Sequence, residues 1–117
     1  MKPRVLIVDD EVDVTDTLEE VLDMCYIRTA NDYDTARQLL MSYTFDIVIL
    51  DIMGVNGLHL LKEAVARSMP SVMLTAHAIN PETLMESIQK GAICYLPKEK
   101  LSDLDDLLNE ILGAFEQ

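Results

Sequence analysis

The stretch Phe45-Asp46-Ile47-Val48-Ile49-Leu50-Asp51 decides the fold, because Ile47 to Leu50 form an unbroken apolar run that stops at a carboxylate. Such a run, without polar alternation, reads as a strand buried on both faces, as in a parallel sheet covered by helices. In an open α/β sheet, ligands bind in the crevice beyond the carboxyl ends of the strands, so Asp51 stands where a site is expected. The competing reading is a plain turn aspartate, and the rest of the chain chooses between them.

Toward the N-terminus, Arg4 to Val8 repeats the pattern and ends in Asp9-Asp10-Glu11. From Val12, the spacing of Val14, Leu18, Val21 and Leu22 predicts a helix ending near Met24, with acids on its other face. Tyr26 to Ala30 predicts a second strand, and Asn31 or Asp32 caps a helix carrying Ala36, Leu39 and Leu40. Beyond Asp51, Gly54 and Gly57 mark a turn before a third helix with Leu58, Leu61, Ala64 and Val65 on one face, closed by Pro70. Ser71 to Thr75 is a fourth strand, ending in a hydroxyl. Asn80-Pro81-Glu82 then supplies a cap, a first-turn proline and an acid for a helix with Leu84, Met85 and Ile88, which Gly91 ends.

Ala92 to Leu96 is a fifth strand with Lys98 just past it, and Leu104, Leu107, Leu108, Ile111, Leu112 and Phe115 form the apolar stripe of a last helix after Ser102. Five alternations predict an α/β fold: a doubly wound (βα)5 domain with a five-stranded parallel sheet, helices on both faces and right-handed crossovers. If the first, third, fourth and fifth strands adjoin, Asp9, Asp10, Asp51, Thr75 and Lys98 meet at one edge.

A chain of 117 residues suits one domain, residues 1–117. Nine Lys and Arg against twenty-one Asp and Glu leave a net charge of −12, which counts against direct nucleic-acid binding. No apolar run approaches the ~20 residues of a membrane span, and no signal peptide is recognisable. The expected location is cytoplasmic, with Cys25 and Cys94 as reduced thiols, since neither has a metal or redox spacing. The seven methionines are expected to fill core gaps, and His59 to lie on the surface of the third helix.

Three carboxylates at one edge repel: two unit charges ~4 Å apart cost about 1 kcal/mol in water and about 4 at an effective dielectric of 20. A hard divalent ion with oxygen ligands, such as Mg²⁺ (Mn²⁺ in its place), fits that set and keeps positions open for a phosphoryl oxygen. Lys98 adds a point positive charge and Thr75 a hydroxyl donor. Together they suggest a phosphoryl-transfer site with Asp51 as the candidate nucleophile.

The motifs Val-Asp-Asp-Glu after the first strand, Leu-Asp-Ile-Met after the third, Leu-Thr-Ala after the fourth and Gly-Ala-x-x-Tyr-Leu-x-Lys around the fifth occur together. The chain resembles, from end to end, a response-regulator receiver domain of bacterial two-component signalling, with its flavodoxin-like receiver fold. The resemblance implies that Asp51 is the phosphoacceptor, taking a phosphoryl group from a sensor histidine kinase or phosphotransfer protein. Asp10 and Asp51 would ligate Mg²⁺ directly, Asp9 mostly through water, and Met53 through its main-chain carbonyl. Lys98 would pair with the phosphoryl group, Thr75 would bind one of its oxygens, and Tyr95 would follow Thr75 as the switch aromatic. Met53 and His77 would tune how long the phosphoryl group lasts; separately from the resemblance, His77, two residues beyond Thr75, is a candidate proton donor.

Implied partners are the kinase, a downstream output domain or protein, and a second copy through the fourth helix, fifth strand and fifth helix. The chain would catalyse only its own phosphorylation and dephosphorylation, and is not otherwise an enzyme. The competing readings are an aspartyl-phosphate phosphatase, a phosphorylation-independent interaction module and a flavin-binding fold. The family's loop after the phosphoacceptor is about two residues longer and carries a proline that Asp51-Ile-Met-Gly-Val-Asn-Gly57 lacks. The family also usually has a proline after the lysine, often cis; here Glu99 follows Lys98, and a cis bond without proline would cost ~3 kcal/mol, which counts against it.

Overall fold

The computed structural model describes residues 2–75, 81–103, 106 and 110, apart from the side chains of 84, 102 and 103. In chain order the elements are β1 (Arg4–Val8), α1 (Val12–Val21), β2 (Tyr26–Ala30), α2 (Tyr33–Ser42), β3 (Ile47–Asp51), α3 (Gly57–Ala66), β4 (Ser71–Thr75), α4 (Pro81–Gln89), β5 (Cys94–Pro97) and a 3-10 segment (Lys98–Asp103). The strands form one parallel sheet in the order β2-β1-β3-β4-β5. β3 is central and all five of its residues are buried, as its unbroken apolar run requires.

Side chains alternate across the sheet, so neighbouring residues of one strand enter different cores. Leu6, Val8, Val48 and Leu50 pack with Ala36 and Leu40 of α2 and Leu60, Leu61 and Ala64 of α3. Val5, Ile7, Ile47 and Ile49 pack on the opposite face with Val14 and Leu18 of α1, and with Val72, Leu74 and Leu96. A one-residue slip of β3 would exchange these two sets, so the register at Asp51 is held from both faces.

Several expectations change in detail. In α3 the buried face is Gly57, Leu60, Leu61 and Ala64, whereas Val65 is 37% exposed and Leu58 only partly buried. That helix ends through Ser68, at φ 60°, and not through Pro70. Ser68 N–H donates to the Val65 carbonyl (3.0 Å) and Met69 N–H to the Ala64 carbonyl (2.9 Å), a Schellman closure. α4 closes the same way: Gly91 (φ 107°) donates to Ile88 and Ala92 to Ser87, each at 3.0 Å.

The cap of α2 is Asp32, which accepts from Thr35 N–H at 2.8 Å, and Asn31 serves the site instead. β5 is shifted, running from Cys94 to Pro97. Of the methionines, Met69 and Met73 fill core gaps while Met24, Met41, Met53 and Met85 are exposed, because an unbranched flexible side chain is tolerated on either side of the surface. His59 lies on the surface as expected, 3.4 Å from the Tyr33 hydroxyl and 3.7 Å from Glu63. Neither Cys25 nor Cys94 is joined in a disulfide, and no described residue has a cis peptide bond. Among the described residues no helix is long and apolar enough to cross a membrane. Asn80, His77 and the apolar stripe of the last helix (104, 107, 108, 111, 112 and 115) lie outside the described residues.

Candidate functional site

β1, β3, β4 and β5 are adjacent, so their carboxyl ends form one edge and bring Asp9, Asp10, Asp51, Thr75 and Lys98 to it. Asp9 (0% exposed), Asp51 (4%) and Thr75 (3%) are buried, while Asp10 is exposed. One oxygen from each of Asp9, Asp10 and Asp51 lies within 4.8 Å of the other two.

Lys98 reaches into this group from just past β5. Its ammonium stands 2.9 Å from Asp9 Oδ2, 3.4 Å from Asp51 Oδ1 and 3.3 Å from Glu11 Oε1. The cation demanded by the clustered acids is therefore supplied by the chain itself. The contact with Asp9 is a close, charge-assisted ion pair to a buried oxygen.

Main-chain donors position both buried acids. Asp9 Oδ1 accepts from Glu11 N–H at 2.9 Å, and the Asp9 carbonyl accepts from Asn31 Nδ2 at 2.8 Å. Asp51 Oδ1 accepts from Met53 N–H at 3.4 Å and Oδ2 from Gly54 N–H at 3.1 Å. The Met53 side chain is 65% exposed. The short loop from Ile52 to Asn56 thus folds directly over the acid, and it leaves no spare room. A Cβ on Gly54 would overlap Asp51 Oδ2 and Asp10 Oδ1, and one on Gly57 would overlap the Asp51 carbonyl oxygen.

The electrostatics follow from this burial. Burial pushes the Asp51 carboxyl above its ordinary pKa, helped by Asp10, against the Lys98 charge and the Met53 N–H. Asp9 is raised for the same first reason, against the Glu11 N–H and Lys98. Burial alone would lower Lys98, but Asp9, Asp51 and Glu11 outweigh it and push the ammonium up to about 12. Lys98 is a permanent cation at neutral pH.

The donor set suits a small hard cation: three carboxylates converge, and a glycine wall abuts two of the acids. These acids form a cluster that could hold a metal ion. The structure brings together Asp9, Asp10, Asp51 and Lys98, and sets Thr75 at the end of the neighbouring strand. Tyr95 lies on β5 beside Met73 of β4 and is 46% exposed. Three contributors were not anticipated as site residues: Glu11, which shares Lys98; Asn31, which anchors the Asp9 main chain; and Gly54. Glu11 stood in the Val-Asp-Asp-Glu motif without an assigned role, and Gly54 carried a signal as a glycine so soon after a strand-end acid.

The Response regulator receiver domain family profile matches residues 5–111. Protein PetR of Rhodobacter capsulatus is 33% identical over 101 residues, covering 82% of this chain and 42% of that protein. The phosphate regulon transcriptional regulatory protein PhoB of Escherichia coli is 31% identical over 124 residues, covering 95% of this chain and 54% of PhoB. The chain thus spans about half the length of the curated relatives it matches. A CheY-like response regulator receiver domain protein from Methanospirillum hungatei superposes with a TM-score of 0.90 at 25% identity, covering 99% of this chain and 98% of the other. Sequence profile, fold and acidic edge coincide, and the chain belongs to the response regulator receiver domain family of two-component signalling.

Proposed function

We propose that residues 1–117 act as one receiver domain whose phosphoacceptor is Asp51. The observation that carries this reading is a nearly buried carboxylate at the end of the central strand, gripped by Lys98 and by two main-chain amides. An Asp51 carboxylate oxygen attacks the phosphorus of a phosphohistidine on a sensor kinase or phosphotransfer protein. The P–N bond breaks, the imidazole leaves with the electron pair, and an acyl phosphate forms. Lys98, already 3.4 Å from Asp51, neutralises the incoming charge. Thr75 donates its hydroxyl to a phosphoryl oxygen, and Tyr95 follows it.

Asp10 and Asp51, the Met53 carbonyl, and Asp9 through water would hold Mg²⁺ or Mn²⁺. When bound, the ion offsets the negative charge gathered on the transferring group. Met53 and His77 tune the lifetime of the acyl phosphate. Apart from this reaction at its own aspartate and the hydrolysis that releases the phosphoryl group as inorganic phosphate, the chain turns over no substrate.

The added phosphoryl oxygens draw Lys98 away from Glu11 and alter the surface around β5. That surface carries exposed Met85 and Ile88 on α4, and Ile93 and Tyr95. It is the face offered to an output domain, an output protein or a second copy, in the cytoplasm. Shifting a 1:99 population to 99:1 would take about 5.5 kcal/mol of preference for the active form.

The test is mass spectrometry after incubation with acetyl phosphate and Mg²⁺, comparing the native chain with Asp51→Asn. One added phosphoryl group that requires Mg²⁺ and is missing from the variant supports the reading. No addition to a folded native chain refutes it, and an interaction module independent of phosphorylation takes its place.

A further inference from the structure

A cavity of about 610 Å³ lies away from the acidic edge. It opens at the other end of the strands, beside edge strand β2, where β1 and β2 begin and the α2–β3 connection passes. At about 3.3 Å per residue, the five steps from Arg4 to Asp9 separate the two places by about 16 Å.

Its lining contradicts the composition of the chain. The protein carries nine Lys and Arg and a net charge of −12, yet Arg4 and Arg28 both line this groove and Lys2 stands over the ring of one lining residue, Tyr26, at 5.2 Å. Arg28 lies over the ring of Tyr43, its guanidinium 4.1 Å from the centroid. Among the described residues, neither arginine side chain has a carboxylate partner. The nearby Asp46 carboxylate accepts instead from the Arg4 main-chain N–H at 2.8 Å. Among the described residues, then, two arginines lack a carboxylate counter-ion, and one of them lies on an aromatic face. A guanidinium fork positioned like this suits the oxygens of a phosphate monoester.

The rest of the groove is lined by Tyr26, Ile27, Tyr43, Thr44 and Phe45. Tyr26 is 61% exposed, Phe45 forms a buried floor with its ring 6.2 Å from that of Tyr43, and Ile27 lines the same space. The volume lies within the roughly 300–1,000 Å³ of small-molecule sites. A long polyanion would meet the acidic remainder of the surface, whereas a single phosphate would not. We propose that this groove binds a mononucleotide, its phosphate held by Arg4 and Arg28 and its base against Tyr26 and Phe45. The site is separate from Asp51 and does not depend on phosphorylation there.

The experiment is an NMR titration of the isotope-labelled chain in EDTA with AMP, GMP, CMP and UMP, following the amides of residues 26–28 and 43–45. At least one mononucleotide should give saturable shifts there with Kd of about 1 mM or tighter. Inorganic phosphate and the matching nucleoside should each bind at least tenfold more weakly. Arg28→Ala should weaken the mononucleotide at least tenfold, or about 1.4 kcal/mol, with Arg28→Lys between it and the native chain and Asp51→Asn unchanged. The proposal is overturned if no mononucleotide saturates, if shifts centre on Asp9 and Asp51, if phosphate alone binds as tightly, or if both Arg4→Ala and Arg28→Ala, shown folded by their spectra, bind normally.

Discussion

Replacing the proposed phosphoacceptor should make the metal-free protein more stable. Asp51→Asn removes an attraction to Lys98 at 3.4 Å, worth about 5 kcal/mol at an effective dielectric of 20. It also removes repulsion from Asp9 and Asp10, whose oxygens lie within 4.8 Å, worth at least about 3.5 kcal/mol for each neighbour on the same basis. Exposed Asp10 is partly screened by water, and an amide matches the Met53 and Gly54 N–H donors less well than a carboxylate does. A net gain of about 1 kcal/mol remains, and the relief of a buried charge adds to it. Urea unfolding at pH 7 in EDTA reads this directly.

The same argument fixes the pH dependence. Asp51 has a folded-state pKa above its ordinary 3.8, so the native state binds more protons than the unfolded one, and this group's contribution worsens as pH rises through that interval. The advantage of the variant should therefore shrink as pH falls toward 3.8. Saturating Mg²⁺ should reverse the order, since ligand at 100 times Kd adds about 2.7 kcal/mol to the native chain alone. If Asp51→Asn is no more stable than the native chain in EDTA, the clustered-charge account is wrong. If Mg²⁺ does not change the order, the acids do not form the proposed metal site.

Other measurements bear on the same geometry. Lys98→Met strands buried acids without their cation and should cost roughly 3 kcal/mol at pH 7 by urea unfolding; a loss below about 1 would mean that solvent already screens the pair. The stabilisation Lys98 provides should be fully present below pH 10.5 and fade as pH rises through about 12, seen as an alkaline fall in melting temperature that Lys98→Met lacks. Gly54→Ala forces a methyl group against Asp51 and Asp10, which should cost about 1–3 kcal/mol and slow labelling by acetyl phosphate; unchanged labelling would show that the loop yields. Asp32 is held below the usual carboxylate range, first by Thr35 N–H. Its contribution should be complete above pH 3.8 and lost as pH falls through its lower folded value, so Asp32→Ala should flatten the acid limb of the stability curve.

The doubly wound sheet was legible because buried parallel strands leave a strong mark: four apolar runs end in Asp9, Asp51, Thr75 or just before Lys98, and those ends define the edge. Helix faces were less legible where apolar residues surround the helix. Leu58, Leu60, Leu61 and Val65 leave two faces of α3 nearly equivalent, and close approach at Gly57 selects the one carrying Leu60. Glu11 was missed because its partner lies 87 positions away, and no local pattern records such a pairing. Asn31 was one of two cap candidates, but Asp32 takes the cap and the Asn31 amide serves Asp9 and Thr15, a choice made only once β1 and β2 are side by side. Chain closure at Ser68 escaped notice because a serine at positive φ has no strong sequence mark.

The tight loop after Asp51 also constrains how this protein can diversify. Because Gly54 abuts two carboxylates and Gly57 abuts the Asp51 carbonyl, substitution at either position is closed while the loop keeps its present length. Lengthening the loop by two residues, to the family's usual span, would move the backbone away from the acids and reopen position 54. Loop length and side-chain identity are therefore epistatic here. Gly54→Ala should be harmful in the native loop and nearly silent in the lengthened one, so any lineage that regains a side chain at this position must gain residues first.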